Sequence, residues 1–143
     1  MLKMFKYRLY PTKKQVKKLN ETLEECCWLY NHLLEMRKTA YERDAISLTC
    51  FLQQSTFPVL KQEHPALKSV HSHVLQNVAV RIDLAFKAFF RRIREQASDP
   101  GFPRFKGKKR YDSFTFPQSG FRLVSVPGRP PMTTACASAR LGL

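Results

Sequence analysis

The stretch from residue 74 to residue 110 joins an apolar helical stripe to a basic loop. Apolar residues recur at helical spacing over residues 74–93, which predicts a helix with one buried face. Prolines and a glycine at residues 100–103 end that pattern. The following ten residues, GFPRFKGKKR, hold five cations, two phenylalanines and no acid. One half of the stretch can therefore be buried while the other half binds a polyanion.

The positive charge of the chain is concentrated in two short segments. The 143 residues include 25 Lys or Arg and 11 Asp or Glu, which gives a net charge of +14. Residues 1–20 carry seven cations and no acid, and residues 101–110 carry five more cations. Because such an imbalance destabilises a compact state by self-repulsion, it favours an acidic partner. We expect structured RNA, DNA or both, rather than a membrane surface or a small-molecule substrate.

Eight basic residues are the candidates for phosphate contact. They come from the N-terminal segment, the long helix and the basic loop: Lys6, Arg8, Arg91, Arg104, Lys106, Lys108, Lys109 and Arg110. Neutralisation of phosphates by these side chains would make binding depend steeply on salt. Phe102 and Phe105 can either stack on bases or anchor the loop to the helices.

The central part of the chain, residues 12–97, is expected to be helical. Thr12 and Gln15 form a capping-box pattern, and apolar residues then recur every 3.6 positions to about Tyr41. One or two shorter helices follow, and a last long helix is expected to begin near residues 66–69 and to end near residue 96. The fold class is therefore mainly α, with a bundle of three or four helices.

The last long helix also has a polar side. Arg81, Lys87, Arg91 and Arg94 follow one another there as an approximate stripe, and Asp83 lies four residues before Lys87 as an ordinary helix pair. Such a stripe is typical of a solvated face. The neighbouring basic loop favours a role in binding instead.

The ends of the chain have different patterns. Residues 2–10 alternate between apolar and basic side chains, which predicts a strand, and its lysines and arginine would also suit a solvated edge. Two short strands are expected after Tyr111, at residues 113–116 and 121–126. The organisation is thus an N-terminal strand (1–11), a helical lobe (12–97), a basic loop with returning strands (98–126) and a disordered tail (127–143).

No catalytic or metal site is visible in the sequence. The eleven acids are dispersed, whereas a two-metal nuclease needs clustered carboxylates. His71 and His73 diverge on a helix and cannot share a metal, and Cys27 lies on an apolar stripe and is expected in the core. The cysteines lack CxxC spacing, and no signal peptide or run of roughly 20 apolar residues occurs. We expect a cytoplasmic protein with reduced thiols and no cofactor.

Four separated motifs resemble the N-terminal part of the TnpB/OrfB family of insertion-sequence proteins. In chain order they are YRLYPTKKQ, CCWLYNHLLE, SHVLQNVAVRIDLAFKAFFRR and GFPRFKGKKRYDSFTFPQ, and they cover roughly residues 3–120. Members of the family are described as transposases with a helix-turn-helix N-terminal domain and are RNA-guided DNA endonucleases. The resemblance implies that the strands at 2–10 and after Tyr111 form a small, incomplete β-barrel beside a helical recognition lobe that holds RNA and DNA.

The resemblance ends before the catalytic region of that family, a RuvC-like fold with three acidic metal ligands. No Asp or Glu follows Asp112, and a frameshift or premature end in a decaying insertion sequence would explain the odd composition of the tail. We therefore expect a truncated, non-cleaving, nucleic-acid-binding fragment of a TnpB/OrfB-type transposase. The alternative is a protein-interaction module or a non-functional remnant of a decayed insertion sequence, in which exposed Phe114, Phe116 and Phe121 would promote oligomerisation.

Overall fold

Helices make up most of the protein. The structure is a computed structural model and describes residues 6, 8–118, 121–124 and 136–139. Within these residues the chain forms four α-helices, with 3-10 helices at Pro65–Ser69 and Lys108–Arg110. The α-helices are α1 (Lys13–Asp44), α2 (Cys50–Ser55), α3 (Phe57–Glu63) and α4 (Ser72–Arg94). The prediction of a mainly helical fold with three or four helices is confirmed.

Local sequence signals set both ends of α1. The Thr12 side chain accepts a hydrogen bond from the Gln15 backbone N–H, and the Gln15 side chain accepts one from the Thr12 N–H at 2.8 Å. This is the predicted capping box, which satisfies two otherwise unpaired helix N–H groups. At the other end Ala45 adopts a left-handed conformation with φ of 53° and caps the helix through its own N–H. Between these points α1 runs without interruption for 32 residues.

The start of α4 lies later than predicted. The segment Pro65–Ser69, where the helix was expected to begin, is a separate 3-10 helix, and α4 begins at Ser72. His71 explains the new boundary, since its Nδ1 accepts a hydrogen bond from the His73 N–H at 3.2 Å and caps the helix. The two histidines of the HSH motif, His71 and His73, therefore form the cap at the start of α4.

The hydrophobic core lies between α1 and α4. Leu29 and Leu33 of α1 are fully buried there, as are Val78 and Ile82 of α4. Burial of each such side chain contributes about 1.5–3 kcal/mol. Smaller contributions come from α3 and the following 3-10 helix, and the prediction that Cys27 lies in the core is confirmed.

A buried polar network joins α1, α2 and α4. The guanidinium of Arg37 donates to Gln53 Oε1 at 2.7 Å and to Asp83 Oδ1 at 3.2 Å, while the Gln53 amide donates to the Leu33 carbonyl at 2.8 Å. Burial opposes ionisation of Asp83, but hydrogen bonds from Lys87 and Arg37 outweigh it and lower the pKa of the carboxyl. The Asp83–Lys87 ion pair, at 2.9 Å, confirms the predicted helix pair.

The predicted β-barrel is wrong for the described residues. Residues 8–10 and 111–116 form no strand, and the two strands present are β1 (Phe121–Val124) and β2 (Cys136–Ala139). These pair antiparallel, with Phe121 opposite Ala139, in a sheet of two strands that cannot close on itself. Most of the predicted N-terminal strand lies outside the described residues. The strand β2 lies in the segment 127–143, which was expected to be disordered. The other residues of that segment lie outside the described part of the chain.

The segment 111–116 lacks strand partners because it is attached to the bundle by side chains. Tyr111 is buried, and Phe114 and Phe116 pack against the core. The alternative of an interaction module with an exposed aromatic surface relied on Phe114, Phe116 and Phe121. The first two do not form such a surface, and the side chain of Phe121 lies outside the described residues.

Candidate nucleic-acid interface

The basic loop, residues 101–110, is fixed to α4 where it begins. The guanidinium of Arg92 donates hydrogen bonds to the carbonyls of Pro100 and Gly101, the second at 3.0 Å. Gly101 has φ of +58°, a conformation that favours glycine, and its N–H donates to Asp99 Oδ1 at 3.1 Å. The chain therefore turns from α4 into the loop at a defined angle.

The two phenylalanines of the loop have different surroundings. The ring of Phe102 packs edge-on against Phe86 and Phe89, with centroids 5.5 and 5.3 Å away. Phe105 is 53% exposed, and no ring contact involves it within the described part of the chain. Phe102 thus anchors the loop, while Phe105 is available for stacking.

Asn31 of α1 holds the middle of the loop through the backbone of Lys106. Its Oδ1 accepts from the Lys106 N–H and its Nδ2 donates to the Lys106 carbonyl, both at 2.8 Å. The thiol of Cys27 donates to the same carbonyl at 3.2 Å. One side chain therefore satisfies both backbone groups of Lys106. Asn31 was not among the residues predicted for this site, and its only signal in the sequence is that it is a polar residue beside the apolar stripe of α1.

The side chain of Lys106 is directed at aromatic rings. Its Nζ lies 5.0 Å from the ring centroid of Tyr30 and 5.5 Å from that of Tyr111. Tyr30 and Tyr111 are themselves in contact, with centroids 5.9 Å apart. Cation–π contact of this kind stabilises the packing of the loop. Among the loop cations, Lys106 is therefore the one most involved in attachment.

The loop runs antiparallel to α1, towards the N-terminus of that helix. Lys106 lies beside Asn31, and two residues later Lys108 Nζ lies 3.7 Å from Glu24 Oε2. Continuing in this direction along α1 leads to exposed lysines in its first two turns, Lys13, Lys14 and Lys17. The basic loop therefore follows α1 towards the end of the helix that carries these lysines.

Arg81 of α4 fixes the chain after the loop. Its guanidinium donates to the Ser113 carbonyl at 2.7 Å and to Thr115 Oγ1 at 3.0 Å, and it lies over the ring of Tyr111. The stripe in which the sequence placed Arg81 is therefore not uniform. Arg81 is engaged with the protein, whereas Arg91 and Arg94 are exposed.

The eight candidate residues differ in exposure and in partners. Six are exposed without an ion pair in the described part of the chain: Lys6, Arg8, Arg91, Arg104, Lys109 and Arg110. Of these, Arg8 lies over the ring of Tyr10 at 5.3 Å. Lys108 is exposed and only weakly paired with Glu24, while Lys106 is half-buried. The structure places Lys106 and Lys108 beside α1, and Arg91 lies on α4.

The described residues contain neither a metal-binding cluster nor a membrane-spanning helix. No group of three or more His, Cys, Asp or Glu side chains there is placed to hold a metal ion. None of the helices in that part of the chain is both long and apolar enough to cross a membrane.

The N-terminal region matches a known domain family. Residues 1–45 match the helix-turn-helix domain of OrfB proteins of the IS605 type, so the resemblance of this region to the N-terminal part of the OrfB/TnpB family is confirmed. Helix-turn-helix domains are a DNA-binding class. Most of the matched residues form the single helix α1, and the turn that follows it leads into α2.

The chain is also similar to one curated protein, the virulence protein VsdF of Salmonella dublin. The two sequences are 29% identical over 117 residues, which covers 76% of this chain and 98% of VsdF. The similarity therefore extends well beyond the 45 residues that match the helix-turn-helix domain.

Proposed function

We propose that this protein binds the phosphate backbone of RNA or DNA through the basic loop and the N-terminal half of α1, without cleaving it. The observation that carries this proposal is the attachment of the loop. Arg92, Asn31 and Phe102 hold it against the helices while Arg104, Lys109 and Arg110 remain exposed. Because the loop is already ordered, less conformational entropy is lost on binding.

The N-terminus of α1 supports the same surface. Lys13, Lys14 and Lys17 lie in its first two turns, and no acid occurs in the first turn. Cations there oppose the helix dipole, and a bound phosphate would relieve that unfavourable arrangement. Lys17 precedes Glu24 by seven residues, so it lies about 10 Å along the helix from the position of Lys108. The cations therefore line an extended path.

The proposed contacts are to the backbone rather than to base edges. Phosphate contacts fix position on a nucleic acid without reading its sequence, so structured RNA and duplex DNA are both suitable ligands. The match to a helix-turn-helix domain supports a nucleic-acid-binding fragment of an OrfB/TnpB-type transposase. Absence of cleavage is proposed because a two-metal nuclease needs clustered carboxylates, and in the described part of the chain no group of three or more His, Cys, Asp or Glu side chains is placed to hold a metal ion.

The salt dependence of binding tests the proposal. The loop variant Lys109→Ala/Arg110→Ala is compared with Lys61→Ala/Lys68→Ala, which removes the same charge from α3 and the adjacent 3-10 helix. Binding to an RNA hairpin and to duplex DNA is measured over a salt series. The loop variant should lower the slope of log affinity against log salt by about 1.4–1.8, which corresponds to two phosphate contacts.

The control variant should leave that slope close to the wild-type value. Equal slopes for the two variants would mean that only total charge matters, and the basic loop would have no special role. Wild-type binding without salt dependence, or no binding at all, would favour the protein-interaction alternative.

A further inference from the structure

An aromatic groove opens where the basic loop leaves α4. It has a volume of about 460 Å³ and lies between the C-terminal half of α1, residues 46–48 and the end of α4. Its apolar lining includes Tyr41, Ile46, Phe89, Phe90, Ile93 and Phe102. The volume is within the range of about 300–1,000 Å³ that is typical of small-ligand sites.

The rings of this groove are exposed although they are large and apolar. Tyr41 is 68% exposed and Phe90 is 51% exposed, and both lie outside the hydrophobic core. The apolar stripe of α4 predicted burial of its last residues, Phe90 and Ile93, and the structure leaves both accessible. Aromatic faces in this position can stack on a flat ligand.

The polar groups around the groove define the chemistry of that ligand. Arg37 and Lys38 both contribute to the lining, but the guanidinium of Arg37 is held by Gln53 and Asp83, so Lys38 is the cation available to a ligand. Lys38 Nζ lies 3.9 Å from Glu42 Oε1, and Ser47 adds a hydroxyl, so hydrogen-bond donors and acceptors are both present beside the rings. A cation beside an aromatic surface suits a ligand that is anionic and also carries a flat ring.

The groove is continuous with the proposed phosphate-binding surface. Phe102 belongs to both, since it lines the groove and is the second residue of the basic loop. Arg104, which is exposed, follows two residues later. A strand that placed its phosphates along the loop would therefore bring a neighbouring base to the mouth of the groove.

We propose that the aromatic groove binds an unpaired nucleobase of a single-stranded nucleic acid whose phosphates lie on the basic loop. This inference rests on the proposed function and adds a ligand class to it. The base stacks on the faces of Tyr41 and Phe90, and its edge lies within reach of Glu42 and Ser47. Stacking on an aromatic side chain tolerates any base, so the groove selects unpaired nucleotides rather than a sequence.

A pair of oligonucleotides separates base contacts from phosphate contacts. One is a thymidine oligomer, and the other has the same length and phosphate charge but carries abasic sites throughout. Phe90→Ala should weaken binding of the thymidine oligomer by about tenfold, as expected for loss of one base-stacking contact, and should leave the abasic oligomer unaffected. Phe90→Tyr should bind both oligomers as the wild type does.

Phe51→Ala is the matched control. Phe51 is 77% exposed on α2 and does not line the groove, so its removal should change neither affinity. Thermal unfolding establishes that each variant is folded. If Phe90→Ala does not fold, Tyr41→Ser replaces it, because that side chain is more exposed and its loss should produce the same selective effect.

The possible results are distinct. If Phe90→Ala weakens both oligomers equally or neither of them, the groove does not bind a base, although salt-dependent binding through the loop would still hold. If the variant instead abolishes self-association measured by sedimentation, without selective loss of the thymidine oligomer, the groove is a contact between copies and the inference is overturned. If the wild type binds neither oligomer in a salt-dependent way, the proposed function fails and the inference fails with it.

Discussion

Two regions of this molecule use cations in opposite ways. Where separate parts of the chain meet, three arginines, called seam arginines here, donate hydrogen bonds that join them: Arg37, Arg81 and Arg92. On the outer side of the basic loop, three loop cations are exposed and make no ion pair in the described part of the chain: Arg104, Lys109 and Arg110. The first group maintains the geometry that presents the second group.

The difference shows that positive charge alone does not define a binding surface. Each seam arginine meets carbonyl, amide or carboxylate oxygens that use its donors, so little of its capacity is left for a ligand. In the described part of the chain, the side chains of Arg104, Lys109 and Arg110 meet no such acceptors. The two groups differ in whether the fold places hydrogen-bond acceptors beside them. Substitution of a seam arginine should therefore lower the free energy of unfolding, whereas substitution of a loop cation should weaken nucleic-acid binding.

The largest expected effect is on stability, from Arg37→Ala. Its loss leaves the buried Gln53 amide oxygen without its donor and removes one of the two cations paired with Asp83, and breaking a buried pair in this way costs about 3 kcal/mol. Arg104→Ala, at an exposed loop position, should change the free energy of unfolding by less than about 0.5 kcal/mol. Urea unfolding of both variants measures the difference. If Arg37→Ala lowered the free energy of unfolding as little as Arg104→Ala does, the distinction between the two groups would be contradicted.

A smaller effect is expected from Asn31→Ala, which removes no charge. The substitution breaks both hydrogen bonds to the backbone of Lys106 and should cost about 2 kcal/mol. It should also weaken nucleic-acid binding at unchanged net charge, because the loop is no longer held in place. Asn20→Ala, at an exposed position of the same helix, is the control. Wild-type affinity in a folded Asn31→Ala protein would mean that attachment of the loop is irrelevant to binding.

The smallest effect is expected from Tyr111→Phe and depends on pH. Burial raises the pKa of Tyr111 from 10.0 to about 12 although the nearby Arg81 lowers it, and the buried Tyr111 hydroxyl makes no hydrogen bond of ordinary geometry in the described part of the chain. The unfolded chain therefore releases this proton first, so stability is complete below pH 10 and declines as the pH rises towards 12.

Tyr111→Phe removes this titration and should reduce the alkaline loss of stability. At neutral pH the variant should be as stable as the wild type or more stable by about 1 kcal/mol, since an unsatisfied hydroxyl is removed. Tyr41→Phe, at an exposed position, should leave the alkaline profile unchanged. The free energy of unfolding measured against pH decides between these outcomes, and a destabilised Tyr111→Phe protein at neutral pH would show that the hydroxyl has a partner.

The elements that the sequence predicted well are those fixed by neighbours in the chain. The capping box of Thr12 and Gln15 and the apolar period of α1 involve residues three or four positions apart, so they could be read directly. The same holds for most of α4. The burial expected for its last turn was wrong, because Phe90 and Ile93 continue the apolar period although both are about half exposed.

Contacts between distant residues could not be read in this way. Arg81 and Ser113 are 32 positions apart, and Asn31 and Lys106 are 75 positions apart. Nothing near these residues in the sequence identifies their partners. The segment after Tyr111 has the alternating pattern of a strand, but it does not pair with one. Its alternation reflects aromatic side chains that pack against the core, while Arg81 binds its backbone.

The most direct test of the account is the salt series applied to one cation from each group. Arg110→Ala and Arg81→Ala each remove one positive charge, but only the first removes a proposed phosphate contact. Arg110→Ala should lower the slope of log affinity against log salt by about 0.7–0.9, and Arg81→Ala should leave the slope unchanged. An equal decrease in slope for both variants would contradict the assignment of Arg81 to the fold and of the loop cations to binding.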